Sequence, residues 1–240
     1  MRVPLRVPEC DATQGAITDA AKLQMEQYSA FAKRFIGPEY QHFIDQLLGE
    51  FTLGPRANVL EIGPGPGWLS LWLGQRVPTL QLTGLELSPD MIRVAERNRA
   101  EAGVTNVRFV QGDAAKMEGM AEAAFDAVIS NGSLHHWLDP IAVFDSIARV
   151  CKPGGLAAIS DGRRDLSLFA RMFVGTLRTV MRLHPLGTRP MIDGWKSSIA
   201  AGYTPGELRE MLDRSKLASC AVRAGMLHVL IHSRQPPDHT

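Results

Sequence analysis

A chain of 240 residues with 45% hydrophobic content can bury a sizeable core, and one large domain with an appended lobe is the expected organisation. Its 26 basic and 25 acidic side chains nearly cancel, which excludes the electrostatic footprint of a general nucleic-acid binder, and no nucleic-acid partner is expected. Cys10, Cys151 and Cys220 are scattered and lack CxxC spacing, so neither a disulfide framework nor a zinc site is expected.

The amino-terminal MRVPLRVPECD lacks a long apolar core and reads as neither signal peptide nor membrane span, so a soluble, cytoplasmic protein is expected. Residues 1–17 read as a loose tail. From Asp19 to about Phe35, Leu23, Tyr28, Phe31, Ala32 and Phe35 fall at helical spacing. Gly37-Pro38 should stop that helix and start another running through Leu48. After Gly54-Pro55, short apolar runs predict strands at Asn58–Ile62, Gln81–Glu86, Val107–Gln111, Phe125–Ser130 and Leu156–Ser160. Ser88-Pro89 and Asp139-Pro140 each offer an N-cap followed by proline at the first helical position. Repeated strand–helix units with short connections predict a doubly wound α/β sheet.

Beyond Asp161 the rhythm changes. Leu166–Leu183 is a long helical pattern, His184 to Tyr203 reads as irregular, and Thr204-Pro205-Gly206-Glu207 is a capping box opening a helix to about Lys216. Ala218–Ala224 and Met226–His232 meet at Gly225 and predict a closing antiparallel pair. The expected units are therefore an amino-terminal tail and helical lid (1–54), an α/β core (55–161), a helical insertion (162–203) and a carboxy-terminal helix with the closing strands (204–240).

The stretch Val59-Leu60-Glu61-Ile62-Gly63-Pro64-Gly65-Pro66-Gly67 is the richest in chemistry. A strand ending in alternating glycines lets a ligand approach backbone N–H groups that Cβ atoms would otherwise screen. A carboxylate at the strand end would repel a phosphate, so Glu61 points to a ligand with a positive end, such as an amino acid or a sulfonium. Further motifs follow in order: Leu85-Glu86-Leu87, Gly112-Asp113-Ala114, Phe125 to Asn131, and Arg149-Val150-Cys151-Lys152-Pro153-Gly154-Gly155. Taken singly, the glycines could mark only a tight turn, Glu86 a solvated helix charge and Asp113 a helix cap. Gly154-Gly155 reads as a turn into the fifth strand.

Together, from Asn58 to Asp161, these motifs resemble the class I S-adenosylmethionine-dependent methyltransferases, in particular the small-molecule, methyltransferase type 11-like branch. The resemblance implies a Rossmann-like, doubly wound, seven-stranded and mostly parallel sheet with helices on both faces and an antiparallel carboxy-terminal strand. It implies S-adenosyl-L-methionine as cofactor and S-adenosyl-L-homocysteine as product. It implies that Glu61, Gly63, Gly65 and Gly67 line the methionine part, that Glu86 holds the ribose, and that Leu87 and Met91 flank the adenine. Asp113 would accept from the adenine amine beside Ala114, and Ser130 and Asn131 would lie under the transferable methyl. Pro64 and Pro66 depart from the expected loop, because each removes a donor.

The acceptor side is expected around Ser133-Leu134-His135-His136-Trp137, where His135 or His136 could serve as catalytic base or only pack. Adjacent histidines suit one metal poorly, and no metal is expected. Tyr28 is a candidate lid residue near the cofactor, with the alternative that it is core. The insertion is basic, with Arg163, Arg164, Arg171, Arg178, Arg182, Arg189 and Lys196 against Asp161, Asp165 and Asp193. Arg171, Arg178 and Arg182 fall opposite Phe169, Phe173, Leu177 and Val180; the readings are a solvated face, an anionic substrate, or contact with an acidic partner or membrane surface. Met172 and Met181 could instead wall an apolar substrate pocket. The expected function is methyl transfer to a small organic acceptor at O, N or C; the alternative is a cofactor-binding regulatory or assembly protein without transferase activity. A nicotinamide dehydrogenase fits less well, because the loop is GxGxG and Glu61 stands where a phosphate would be. Base N-methylation is disfavoured by Asn131-Gly132-Ser133-Leu134 in place of an NPPY-like tetrad. Oligomeric state is left open.

Overall fold

The computed structural model describes residues 19–51 and 53–233; the expected tail lies outside them. Seven strands form one sheet in the order β3-β2-β1-β4-β5-β7-β6. They are β1 (Asn58–Ile62), β2 (Gln81–Glu86), β3 (Val107–Gln111), β4 (Phe125–Asn131), β5 (Cys151–Gly162), β6 (Ala221–Ala224) and β7 (His228–His232). Strands β1 to β5 pair in parallel, and β7 runs antiparallel to both β5 and β6. The fold is thus the expected Rossmann-like α/β sheet.

Side-chain alternation along each strand feeds two cores. Val59, Leu82, Val107 and Ile129 face one way, toward α2 (Gly37–Gly49), α3 (Trp68–Arg76) and α4 (Pro89–Ala102), where Phe43, Leu47, Leu69 and Ala95 are buried against them. Leu60, Ile62, Val128, Ile159 and Ile231 face the other way, toward α5 (Pro140–Val150) and α8 (Pro205–Asp213), meeting Phe144, Ile147, Leu208 and Leu212. Burying one such side chain contributes roughly 1.5–3 kcal/mol. The expected caps form: Ser88 accepts from the Met91 N–H, Asp139 accepts from the Ala142 N–H, and Thr204 and Glu207 exchange bonds in a capping box.

Four local expectations are corrected. Gly37-Pro38 does not separate two helices: α1 (Asp19–Phe31) passes through a π turn (Ala32–Ile36) directly into α2. Proline has no N–H to return to the preceding turn, and the widened turn absorbs that loss, while Gly37 leaves room for the Trp72 ring 3.0 Å from where a Cβ would stand. The segment after His184 is not irregular, because α7 spans Arg189–Ala201. Pro190 sits in the first turn, where its missing N–H has no role, so what read as a breaker is a starter. Gly154-Gly155 lies inside β5 at a register shift opposite Phe125 and Ala127, not in a turn before the strand. Helix α8 stops at Asp213, short of Lys216, and β6 begins at Ala221.

Helix α6 (Leu168–Arg182) is where expected, but Met172 and Met181 do not share one side of it. Met181 is buried while Met172 is 66% exposed, because nine residues of helical rotation turn them to opposite sides. Of the basic residues in this region, Arg163 pairs with Asp165, and Arg164 is buried against Glu207 and the Gly202 carbonyl. The Arg164 guanidinium holds the Glu207 carboxyl down at about 2. Among the described residues no helix is long and apolar enough to cross a membrane.

Candidate functional site

The carboxyl ends of β1, β2, β4 and β5 converge, as parallel pairing requires, and their next residues build the site. After β1 the chain turns through Gly63 and Gly65, both in the left-handed region at φ +66° and +52°. A Cβ on Gly63 would stand 2.5 Å from the Ser133 Cβ, so glycine is required for the loop to pack on the end of β4. At Gly65 nothing lies within 4 Å of that position, and the loop opens onto free space. The Glu86 carboxylate accepts from the Gly65 N–H and from the Ser88 N–H, each at 3.0 Å, and so bridges the loop to the start of α4. Leu87, just beyond, is half exposed, Met91 sits in the first turn of α4, and Gly67 caps α3.

Glu61 points to the α3 side and is 2% exposed, receiving a hydrogen bond from the Ser70 hydroxyl. Burial pushes its carboxyl up to about 7, bonds from the Ser70 hydroxyl and N–H offset part of that push, and the Glu86 charge adds to it. Tyr40 of α2 stands close enough to feel the charges of Tyr28, Glu39 and Glu61, and burial raises its phenol furthest. Tyr28 of α1 is partly buried against the core on this side and against a second cluster described below.

After β3, Asp113 spends one carboxylate oxygen on the Ala115 N–H, 2.9 Å away, in a turn; the described residues between β3 and β4 form no helix, so the helix-cap reading is corrected, and Ala114 is partly buried beside it. Ser130 is fully buried, and its hydroxyl donates to the Ile62 carbonyl and lies 2.7 Å from the Ser133 hydroxyl. It ties β4 to the glycine loop. Asn131 differs. It is 6% exposed, and neither atom of its amide has a hydrogen-bond partner.

Residues 134–136 form one 3-10 turn that presents the two histidines. His135 is buried, with Nδ1 2.8 Å from Asp161 Oδ1, and its backbone N–H donates to Asp161 Oδ2 at 2.8 Å. Asp161 also accepts from the Gly162 N–H at 2.6 Å. One buried carboxylate thus fixes both the main chain and the ring. With the proton on Nδ1 facing Asp161, the lone pair stays on Nε2. His136 is exposed, its ring centroid 4.1 Å from that of His135. Asp161 was not foreseen as a site residue, although an acid ending a parallel strand is the signal that marked Glu61 and Glu86.

Three more residues carried no sequence signal. Asn98 of α4 donates to the Pro66 carbonyl at 2.8 Å and to the Ser29 hydroxyl at 3.1 Å, and Trp68 Nε1 donates to the Ser29 carbonyl at 3.0 Å. Ser29 thereby latches α1 to the glycine loop. Farther along α1, Phe31 packs with Met181, Met191 and Ile192, flanked by Phe35, Leu177 and Trp195. Helix α7 also packs against the His135–His136 turn. Two segments distant in sequence thus share a small core of their own beside the strand ends.

Comparison with known proteins agrees with this arrangement. The family model described as "Methyltransferase domain" matches residues 60–159. The ubiquinone biosynthesis O-methyltransferase of Xanthomonas oryzae pv. oryzae is 34% identical over 209 residues, covering 82% of this chain and 84% of that protein. Its namesake in Xanthomonas campestris pv. campestris is 29% identical over 208 residues, with the same coverage. Among solved structures, a Methanococcus maripaludis chain assigned as an S-adenosyl-L-methionine-dependent methyltransferase aligns over 95% of this chain and 99% of its own, with TM-score 0.72 and 21% identity, which shows the fold. The same fold is shared with a SAM-dependent methyltransferase from Aquifex aeolicus, at TM-score 0.62 and 16% identity over 90% of this chain and 98% of that one. The chain belongs to the class I S-adenosylmethionine-dependent methyltransferases, in the type 11 branch, and is an enzyme that methylates a small-molecule acceptor with S-adenosyl-L-methionine.

Proposed function

We propose that the acceptor atom is the oxygen of an acidic, phenol-like hydroxyl, with His135 Nε2 as the base and Asp161 as the residue that orients it. The buried Asp161–His135 pair carries this reading. A phenol near pKa 10 lies within reach of an imidazole near 6.5 as methyl transfer consumes the oxyanion, whereas an alkyl alcohol does not. The relatives' name, ubiquinone biosynthesis O-methyltransferase, also supports oxygen as the acceptor atom.

S-adenosyl-L-methionine supplies an electrophilic methyl on a sulfonium. The residues present suit it: the open space at Gly65 and the unpaired, buried Asn131 amide are features that a bound molecule completes. We assign Glu61 to the cofactor's ammonium, Gly63, Gly65 and Gly67 to its methionine part, Glu86 to the ribose, and Leu87, Met91, Asp113 and Ala114 to the adenine. Asn131 is assigned to the space next to the methyl, and Ser130 to holding that strand end. Helix α1 with Tyr28, together with α6 and α7, is the lid of the acceptor site in this reading. The free thiols Cys151 and Cys220 suit a cytoplasmic setting.

The test is His135→Gln assayed for S-adenosylhomocysteine release against a panel of phenolic acceptors. We expect kcat to fall about a hundredfold or more, with S-adenosylhomocysteine affinity retained. Asp161→Asn should lower kcat by about a hundredfold or more, because the wrong tautomer is then favoured and Nε2 no longer carries the lone pair. A His135→Gln enzyme that keeps its kcat within about threefold overturns the base assignment.

A further inference from the structure

At helical spacing α6 divides into three arcs. Ala170 and Met181 are buried and Val174 and Leu177 half-buried, on the side toward α1 and α7. Arg171, Arg178 and Arg182 line one flank, with Arg178 half-buried and the other two exposed. The third arc holds Leu168, Phe169, Met172, Phe173 and Val180, continued by Leu183, and these are 68, 70, 66, 44, 56 and 84% exposed. Isolated exposed apolar residues are ordinary, but six on one helix face, with only Thr176 and Thr179 among them, mark an interaction surface.

The charge around the row selects its partner. From Leu166 to Ile192 there are four arginines and not one Asp or Glu, in a chain whose totals are 26 basic and 25 acidic. A second copy docking through the same face would bring these arginines against each other. A surface that takes convex apolar side chains and offers negative charge beside them answers both features, and an anionic lipid interface is such a surface.

We propose that α6 docks the enzyme on an anionic membrane surface, with the Leu168–Phe169–Met172–Phe173–Val180 arc entering the boundary between headgroups and acyl chains. Arg171 and Arg182 reach the lipid phosphates from the flank, their stems lying along the apolar side. Helix α6 packs on α7, and α7 packs on the His135–His136 turn, so the docked surface belongs to the lid and not to the far end of the sheet.

The experiment is flotation of the full chain with vesicles of phosphatidylcholine alone and of phosphatidylcholine and phosphatidylglycerol in equal parts, at low and high salt. The protein should float with the anionic vesicles, less so at high salt, and stay behind with the neutral ones. Each basic residue at such a surface contributes about fivefold, so R171Q/R182Q should lower partitioning about twenty-fivefold. F169S/F173S should lower it at least about tenfold. Both variants should keep their circular dichroism and their S-adenosylhomocysteine affinity, which separates lost docking from lost folding. Wild-type protein that fails to float with anionic vesicles at low salt overturns the proposal, as do variants that float like the parent. A dimer in sedimentation velocity that F169S/F173S converts to monomer also overturns it, assigning the face to a second copy.

Discussion

Glu61 combines two demands at one carboxyl. It is buried at the foot of the glycine loop, and in the proposed site it must be ionised to hold a cation. Its pKa of about 7, against 4.5 for an ordinary glutamate, is the compromise in the free protein. The folded pKa is raised, so the stabilising contribution is complete below about pH 4.5 and is lost as pH rises through about 7. A shift of that size corresponds to about 3 kcal/mol. Glu61→Gln has no such loss. Its stability relative to the parent should therefore improve by about that amount between pH about 4.5 and pH about 8, measured by urea unfolding of the free protein. Ligand binding should show the reverse: parental affinity for S-adenosylhomocysteine should rise with pH through about 7, as the carboxylate forms to meet the ammonium. In Glu61→Gln it should be weak and flat. Equal pH slopes in parent and variant would show that Glu61 does not titrate in this range.

At the scale of elements, the site depends on helices from outside the sheet. Ser29 is the point where α1 meets the loop, sharing hydrogen bonds with Asn98 and Trp68. Removing a partner of a buried donor costs about 1–3 kcal/mol. Ser29→Ala should therefore speed hydrogen exchange of α1 amides by about tenfold or more, leaving β1 and β4 unchanged. Uniform acceleration across the sheet would instead show that the latch stabilises the whole fold. These helices were also the least legible part of the sequence. The strands could be read because a strand buried on both faces is a short apolar run ended by glycine or an acid, and that pattern is local. Helix α7 was missed because Gly187, Pro190 and Gly194 look like breakers until one knows that Pro190 is in the first turn. The π turn was missed because Gly37-Pro38 reads as a break, whereas the widened turn absorbs the loss of the N–H that Pro38 lacks and Gly37 leaves room for the Trp72 ring. The same limit applied to the site. Glu61 and Glu86 were visible beside their glycines, but the Asp161–His135 bond spans 26 positions and the Ser29–Asn98 bond 69, distances no local pattern records.

At the scale of the molecule, the free protein already holds its loop in place through Glu86, whose carboxylate accepts from Gly65 on one side and Ser88 on the other. A ligand lying across these strand ends would join α1, the loop, α4 and the end of β4, adding to the hydrogen bonds and the core packing that already connect them. Binding should then appear as global stabilisation. With S-adenosylhomocysteine at a hundred times its Kd, the gain is about 2.7 kcal/mol. For a chain of this size that raises Tm by roughly 5–10 °C. In Glu86→Ala two effects must be told apart. Losing the anchor frees the Gly65 and Ser88 N–H groups and lowers the Tm of the free protein, whereas losing the proposed ribose contact removes the response to ligand. Scanning calorimetry with and without S-adenosylhomocysteine separates them, because only the second is a difference within one variant. The expected result is a modest drop in Tm without ligand and little or no rise with it. A variant with a lowered Tm that still shows the full ligand-dependent rise would leave Glu86 as a loop anchor and nothing more.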